Sequence, residues 1–118
     1  MLHQMKLQDR PFSQIQKGKK TIELRLYDEK RQKVKVGDRI EFTNLQEPGK
    51  KLLTQVTALH LFDSFGEMFR VLPKSLMGYE PAESPKAEDM EAYYSKEEQA
   101  LYGVVGIELT RIDLHDPE

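Results

Sequence analysis

The sequence has 118 residues, with 18 Lys and Arg against 20 Asp and Glu, and it contains no cysteine. That length corresponds to one domain, and the lack of cysteine excludes disulfides, thiolate catalysis and cysteine-based metal sites. Because no apolar run reaches the roughly 18–20 residues of a membrane span and the first residues lack a signal-peptide pattern, we expect a single cytoplasmic domain over residues 1–118.

The first half of the chain alternates between strand and turn signals. Pro11 and Gly18 bracket a short helix of two turns at most, because proline suits a first helical turn and glycine a helix end. A charged connection over Tyr27–Lys35 follows the second predicted strand, and Glu47–Lys50 is a strong turn signal. Alternating apolar residues predict strands over Leu2–Leu7, Lys19–Leu26, Arg39–Thr43 and Lys51–Leu61.

The second half contains the longer helical patterns. Asp63 or Ser64 is a suitable N-cap for a helix that Pro73 ends. Two prolines and a glycine predict a loop over Gly78–Lys86. The remaining predicted segments are a helix over Glu88–Leu101, a strand over Gly103–Ile112 and a frayed tail over Asp113–Glu118.

This order of elements indicates an α+β protein. Several strands separated by few residues favour an antiparallel or mixed sheet. At this length the most economical arrangement is a small β-barrel with the helices flanking it.

The segment from Gly18 to Arg25 concentrates the groups that could carry chemistry. Glu23 and Arg25 are two residues apart on a predicted strand, so their side chains point to the same side. Lys20 is three residues before Glu23, so in a regular strand its side chain would point to the opposite side. It lies at the start of the strand, however, where its long stem can bend around the strand end. A carboxylate, an ammonium and a guanidinium suit phosphate or nucleobase recognition, or acid–base catalysis. An exposed strand face with a weak ion pair is the alternative.

This segment, Gly18-Lys19-Lys20-Thr21-Ile22-Glu23-Leu24-Arg25, resembles the G-x-K-x-x-E-x-R signature of the ASCH domain family. The similarity continues at Pro11-Phe12, at the run from Val36 to Phe42 and at the run from Tyr102 to Ile107, so it covers nearly the whole chain. It implies a fold similar to the PUA domain, a small mixed or antiparallel β-barrel with flanking helices. It also implies that a cleft beside the motif binds RNA or a nucleotide-like ligand.

Some small bacterial members that this chain resembles are metal-independent amidohydrolases, which remove the acetyl group from N4-acetylcytidine. In those enzymes the motif lysine, a threonine three residues later and a distant glutamate carry the chemistry. Lys20 matches the lysine, whereas Glu23 occupies the threonine position and Thr21 directly follows Lys20. Spacing does not choose among the candidates for the distant glutamate, which are Glu67, Glu80, Glu88, Glu97 and Glu98.

Other residues could extend a ligand site. Tyr94 or its neighbour Tyr93, and also Tyr27 after the motif strand, could stack on a base, although core packing is an alternative for each. Residues 1–60 contain thirteen Lys and Arg against seven Asp and Glu, a balance of +6, whereas residues 61–118 have a balance of −8. The basic residues of the connection could follow a phosphate backbone or form a solvated loop; these are Lys30, Arg31, Lys33 and Lys35.

Three functions fit these residues. The first is an RNA or modified-nucleotide binding domain, with Gly18, Lys20, Thr21, Glu23 and Arg25 beside the ligand. The second is a small hydrolase acting on an acylated nucleoside or on RNA, with Lys20 and Glu23 as catalytic groups. The third is a protein-interaction module built on the acidic helices. The histidines lie far apart and no cofactor motif is present, so we expect neither a metal nor a cofactor.

Overall fold

The computed structural model describes residues 1–112, and its central feature is one curled, five-stranded sheet. The strands are β1 (Leu2–Leu7), β2 (Ile22–Leu26), β3 (Arg39–Asn44), β4 (Lys51–Phe62) and β5 (Val104–Arg111). Their order in the sheet is β1-β3-β4-β5-β2, so β1 and β2 are the two edges. The pair β1–β3 is parallel and the other pairs are antiparallel.

Short helices fill the connections between the strands. They are α1 (Asp9–Gln16), α2 (Phe65–Val71), α3 (Ala87–Met90) and α4 (Lys96–Tyr102). Two 3-10 turns, Arg31–Lys33 and Lys74–Met77, lie in the longer loops. The side chain of Ser64, one of the two N-cap candidates in the sequence, caps α2 by accepting a hydrogen bond from the Glu67 amide.

The buried apolar residues form two clusters. One contains Phe12 and Ile15 of α1 together with residues of β1, β3, β4 and β5. The other contains the apolar residues of β2 together with α2 and Met77. Ile22, Leu24 and Leu26 therefore share one face of β2, and Glu23 and Arg25 lie on the other, as the alternation predicts.

The prediction of one continuous helix over Glu88–Leu101 is wrong. The chain forms α3 and α4 instead, separated by a turn at residues 91–95. Ser95 starts α4 with a capping box, because its hydroxyl accepts from the Glu98 amide while the Glu98 carboxylate accepts from the Ser95 amide. Leu101 consequently faces outward and is 73% exposed.

The remaining elements agree with the predicted fold class. The curled sheet and its flanking helices form a small α+β barrel of the PUA type, open between β1 and β2. The loop predicted over Gly78–Lys86 contains no helix or strand in the structure. The tail predicted over Asp113–Glu118 lies outside the described residues.

Candidate functional site

Lys20, Glu23 and Arg25 form a buried ionic triad, with Glu23 and Arg25 on β2 and Lys20 just before it. Lys20 Nζ lies 3.0 Å from Glu23 Oε1, and Arg25 Nε lies 2.6 Å from Glu23 Oε2. The three side chains are 10%, 6% and 12% exposed respectively. Each carboxylate oxygen of Glu23 therefore has its own cationic partner, which is the arrangement that a buried carboxylate needs.

The local backbone explains how the triad assembles. The chain leaves α1 through a tight turn in which the amides of Lys19 and Lys20 both donate to the Gln14 carbonyl. This turn places Lys20 just before β2, and its stem bends toward the Glu23 side of the strand, as the sequence predicts.

Charge and burial act in opposite directions on Glu23. Burial raises the pKa of this carboxyl, but the charges and hydrogen bonds of Lys20 and Arg25 outweigh burial and hold the pKa below its ordinary value. Burial lowers the pKa of Arg25, but Glu23, and to a smaller extent Tyr94, raise it above its ordinary value. Glu23 and Arg25 are thus ionised at neutral pH, and Glu23 can accept hydrogen bonds but cannot donate one.

The triad forms part of the lining of a cleft of about 310 Å³. Aromatic and thioether side chains supply one part of the apolar lining; these are Tyr79, Tyr93, Tyr94, Met77 and Met90. Aliphatic residues supply the rest; these are Leu7, Pro11, Leu24 and Leu45. Lys6 of β1 adds another cation. A concave, mostly apolar site with a few convergent charged groups is typical of a small-molecule pocket.

Two contacts fix the loop that follows α2 against the motif. The Gln14 side chain donates to the Gly78 carbonyl at 2.8 Å, and the Thr21 amide donates to the Leu76 carbonyl at 2.9 Å. Gly78 has a φ of 96°, and a Cβ atom there would lie 2.6 Å from Gln14 Oε1 and 3.2 Å from Lys20 Cδ. Glycine is therefore required at this position for the loop to pack against α1 and Lys20. The residues on either side of it, Met77 and Tyr79, line the cleft.

Two of the cleft tyrosines pack against α2. The ring of Tyr94 stacks on Phe65 at a centroid distance of 5.9 Å, and Tyr79 packs edge-on against Phe69 at 6.0 Å. Tyr93 is 68% exposed. The aromatic wall therefore combines two rings held by the core with one that can adjust to a ligand.

Cationic side chains bridge the open seam between β1 and β2. Arg25 Nη2 donates to the Lys6 carbonyl at 2.8 Å, and Lys30 Nζ donates to the Gln4 carbonyl at 3.0 Å. Burial, together with the positive charges of Arg31, Arg25 and Lys6, lowers the pKa of Lys30. A basic strip thus runs along the seam from the cleft.

Comparisons with known proteins identify the family. The family model for the ASCH domain matches residues 5–113. The chain belongs to the ASCH domain family. The resemblance found in the motif is therefore confirmed over nearly the whole length.

Solved structures agree with this assignment of an ASCH domain. The crystal structure of hypothetical protein PH0355 is 36% identical, with a TM-score of 0.80, and the match covers 95% of this chain and 100% of that one. The solution structure of protein PF0455 from Pyrococcus furiosus is 36% identical, with a TM-score of 0.69, and the match covers 96% of this chain and 99% of that one. The comparison with curated proteins returned no match.

Not all of the residues predicted for the site lie at the cleft of this ASCH domain. Lys20, Glu23, Arg25 and Tyr94 line it. Gly18 and Thr21 border a neighbouring groove that also includes Lys20. The structure places Tyr27 elsewhere, partly buried against the larger apolar cluster and beside a separate groove near α4.

The predicted basic loop divides into two parts. Lys30 lies near Arg25 at the seam of the barrel, whereas Arg31, which is close to Lys30, pairs with Asp28 at 3.0 Å. Lys33 and Lys35 have exposed side chains, and the Lys35 amide donates to Asp38. None of the four lines the cleft, and Lys30 is the one that lies beside the lining residues Arg25 and Lys6.

The glutamates considered as a distant catalytic group are elsewhere in the ASCH fold. None of Glu67, Glu80, Glu88, Glu97 and Glu98 is among the cleft-lining residues. Glu67 lies at the start of α2, and Glu98 completes the α4 capping box. Within the described residues, Glu23 is the one carboxylate that lines the cleft.

Sequence reasoning did not select Lys6, Met77, Tyr79 or Met90, which line the cleft. Lys6 could have been suspected as an outward residue of an edge strand. The other three reach the cleft through loop packing, for which the sequence contains no periodic signal.

Residues 1–112 show no group of three or more His, Cys, Asp and Glu side chains placed to hold a metal ion. Over the same range, no helix of this ASCH domain combines the length and apolar character needed to cross a membrane.

Proposed function

We propose that this ASCH domain binds a nucleotide, either free or within RNA, with the base in the cleft beside Lys20, Glu23 and Arg25. The observation that carries the proposal is the ionised, buried Glu23 between two cations, in a cleft that also presents three tyrosines. Hydrogen-bonding groups beside aromatic rings are the combination that unstacked bases require. We propose that the chain acts as one domain and in the cytoplasm, where both ligands are abundant.

Stacking supports a planar ligand. Tyr94 is held by Phe65, so it offers a fixed surface without further loss of side-chain freedom. Tyr93 is exposed at the cleft and can close on a base from outside. Each base–aromatic contact contributes about 1–3 kcal/mol in single-strand sites.

Charge supports a phosphorylated ligand. Lys6 and Lys30 lie along the seam beside Arg25, and Arg31 is close to Lys30. A base at the triad would leave its phosphate near this basic strip, and an RNA strand could continue along it. Such contacts predict affinity that falls as salt rises, because phosphate neutralisation releases counterions.

Binding of nucleoside 5′-monophosphates and short single-stranded RNA, measured by calorimetry at two salt concentrations, tests the proposal. Tyr93→Ala should weaken binding by about 1–3 kcal/mol through lost stacking. Lys20→Ala should also weaken it, whereas Lys19→Ala, which changes the exposed neighbouring lysine, should not.

Circular dichroism confirms that each variant is folded before its affinity is compared. Wild-type protein that binds neither mononucleotides nor RNA would overturn the proposal. Equal affinity of the wild type, Lys20→Ala and Tyr93→Ala would also overturn it, because the ligand would then bind outside this cleft.

Hydrolysis of an acylated nucleoside is a second candidate, favoured by the 3.0 Å contact between the Lys20 ammonium and an ionised carboxylate. Glu23 would take a proton from the attacking water, and Lys20 would stabilise the negative charge that forms on the acyl oxygen as the water oxygen adds to the acyl carbon. Glu23 would then pass the proton to the nitrogen of the leaving amine. Breaking the C–N bond would then release a carboxylic acid and the amine. Mass spectrometry of acylated nucleosides incubated with wild type or Lys20→Ala distinguishes turnover from binding alone.

A further inference from the structure

The triad presents an ordered pattern of hydrogen-bonding groups to the cleft. Lys20 lies on one side of the Glu23 carboxylate and Arg25 on the other, each bound to a different oxygen. Read across the carboxylate, the groups are a donor, an acceptor and a donor. Because Glu23 is ionised, the central group cannot reverse its role.

Each member of the triad retains capacity for a ligand. The Lys20 ammonium has three N–H groups, and Glu23 takes one of them. Arg25 uses Nε for Glu23 and Nη2 for the Lys6 carbonyl, and its Nη1 has no hydrogen-bond partner among residues 1–112. The carboxylate oxygens of Glu23 each accept one hydrogen bond from the triad and have lone pairs for another.

We infer that the cleft selects a base with an imide edge, which in RNA is uracil. This inference rests on the proposed nucleotide function and specifies its ligand. The uracil edge presents a carbonyl, an N–H and a second carbonyl, so it complements a donor, an acceptor and a donor. Lys20 would donate to one carbonyl, Glu23 would accept from N3–H, and Arg25 would donate to the other carbonyl.

The same pattern disfavours the other pyrimidine of RNA. Cytosine has a lone pair on N3 where uracil has an N–H, so its N3 would face the Glu23 carboxylate without a proton between them. It also has an amino group where uracil has a carbonyl, so that group would face a cation. Leaving buried polar groups unpaired is more costly than losing an exposed hydrogen bond.

Calorimetry of the wild-type protein with four nucleotides tests the inference. Uridine 5′-monophosphate and its 5-methyl derivative have the imide edge, whereas cytidine 5′-monophosphate and 3-methyluridine 5′-monophosphate lack its central N–H. We expect the first two to bind with similar affinity and the last two to bind at least about tenfold more weakly.

The outcomes separate this inference from the proposed function. If the nucleotides bind but 3-methyluridine 5′-monophosphate equals uridine 5′-monophosphate, the inferred edge recognition is wrong while nucleotide binding stands. If neither mononucleotides nor RNA bind, the proposed function itself fails.

Glu23→Gln provides a second test, because an amide can donate as well as accept. It should reduce the preference for uridine over cytidine, whereas Glu108→Gln, which changes a carboxylate of β5 paired with His60, should retain it. An unchanged preference in folded Glu23→Gln contradicts the inference. If Glu23→Gln does not fold, the nucleotide series with the wild type still decides.

Discussion

At the residue scale, Arg25 has two structural tasks that only its planar group can combine. Its Nε pairs with Glu23 at 2.6 Å, and its Nη2 donates to the Lys6 carbonyl at 2.8 Å. The first contact stabilises a buried carboxylate, and the second joins β2 to β1. A lysine ammonium carries the same charge but lacks the fixed fork that reaches both acceptors.

Arg25→Lys should therefore lower the free energy of unfolding even though the net charge is unchanged. Losing one hydrogen bond from a charged donor predicts a decrease of about 1.5–3 kcal/mol. Urea denaturation measures this change, and Arg39→Lys, at an exposed position of β3, serves as the matched control. An equal effect of the two substitutions would show that Arg25 does not bridge the strands.

The parts of the site that lie close together in sequence were predictable. Side chains alternate along a strand, so Glu23 and Arg25 lie on one side, and the long stem of Lys20 brings its ammonium group to them. The opposite wall was not predictable, because Tyr79 reaches the cleft through contacts such as Gln14 with Gly78, which are 64 residues apart. Local patterns contain no information about such a loop-to-helix contact.

At the element scale, the break between α3 and α4 positions the aromatic wall. Tyr93 and Tyr94 lie in the turn at residues 91–95, directly before the Ser95 cap. Helical periodicity favoured one helix through this segment, but serine competes with the helical backbone by hydrogen bonding locally. The capping box therefore begins a new helix and leaves the tyrosines in the turn, where both line the cleft.

Ser95→Ala should destabilise the protein, because it removes the hydroxyl that accepts from the Glu98 amide. Loss of such a cap costs about 1 kcal/mol, which calorimetry detects as a lower Tm. Ser84→Ala changes an exposed loop serine and is the control. A Tm that falls equally in both variants would contradict a capping role for Ser95.

At the scale of the whole molecule, different interactions hold the two sides of the edge strand β1. The carbonyls of Met1 and Leu7 accept from the amides of Arg39 and Leu45 on the β3 side. Carbonyl direction alternates along a strand, so the carbonyls of Gln4 and Lys6 face the open edge, where Lys30 and Arg25 bind them. Side chains thus close the seam that backbone ladders leave open, and ionisation contributes to the integrity of the barrel.

Acid should destabilise the fold where a carboxylate is ionised and hydrogen-bonded in the native state, and Asp38 allows this to be measured away from the cleft. Asp38 accepts from His3, from the Lys35 amide and from the N-terminal amine. These contacts, with the His3 hydrogen bond the largest, lower its pKa from 3.8 to about 2. The unfolded chain then binds more protons than the native one as pH falls from about 5 toward 2, so the stabilisation is complete above that window and is lost within it.

Urea denaturation at a series of pH values should show this as a free energy of unfolding that decreases toward acid pH. Asp38→Asn cannot titrate, so its curve should be flatter than that of the wild type over the window below about pH 5. Asp63→Asn, which changes an exposed aspartate that makes no ion pair within residues 1–112, is the control for the loss of one carboxylate. Parallel acid slopes in the wild type and Asp38→Asn would contradict this role, because the slope reports protons taken up on unfolding rather than the total stability.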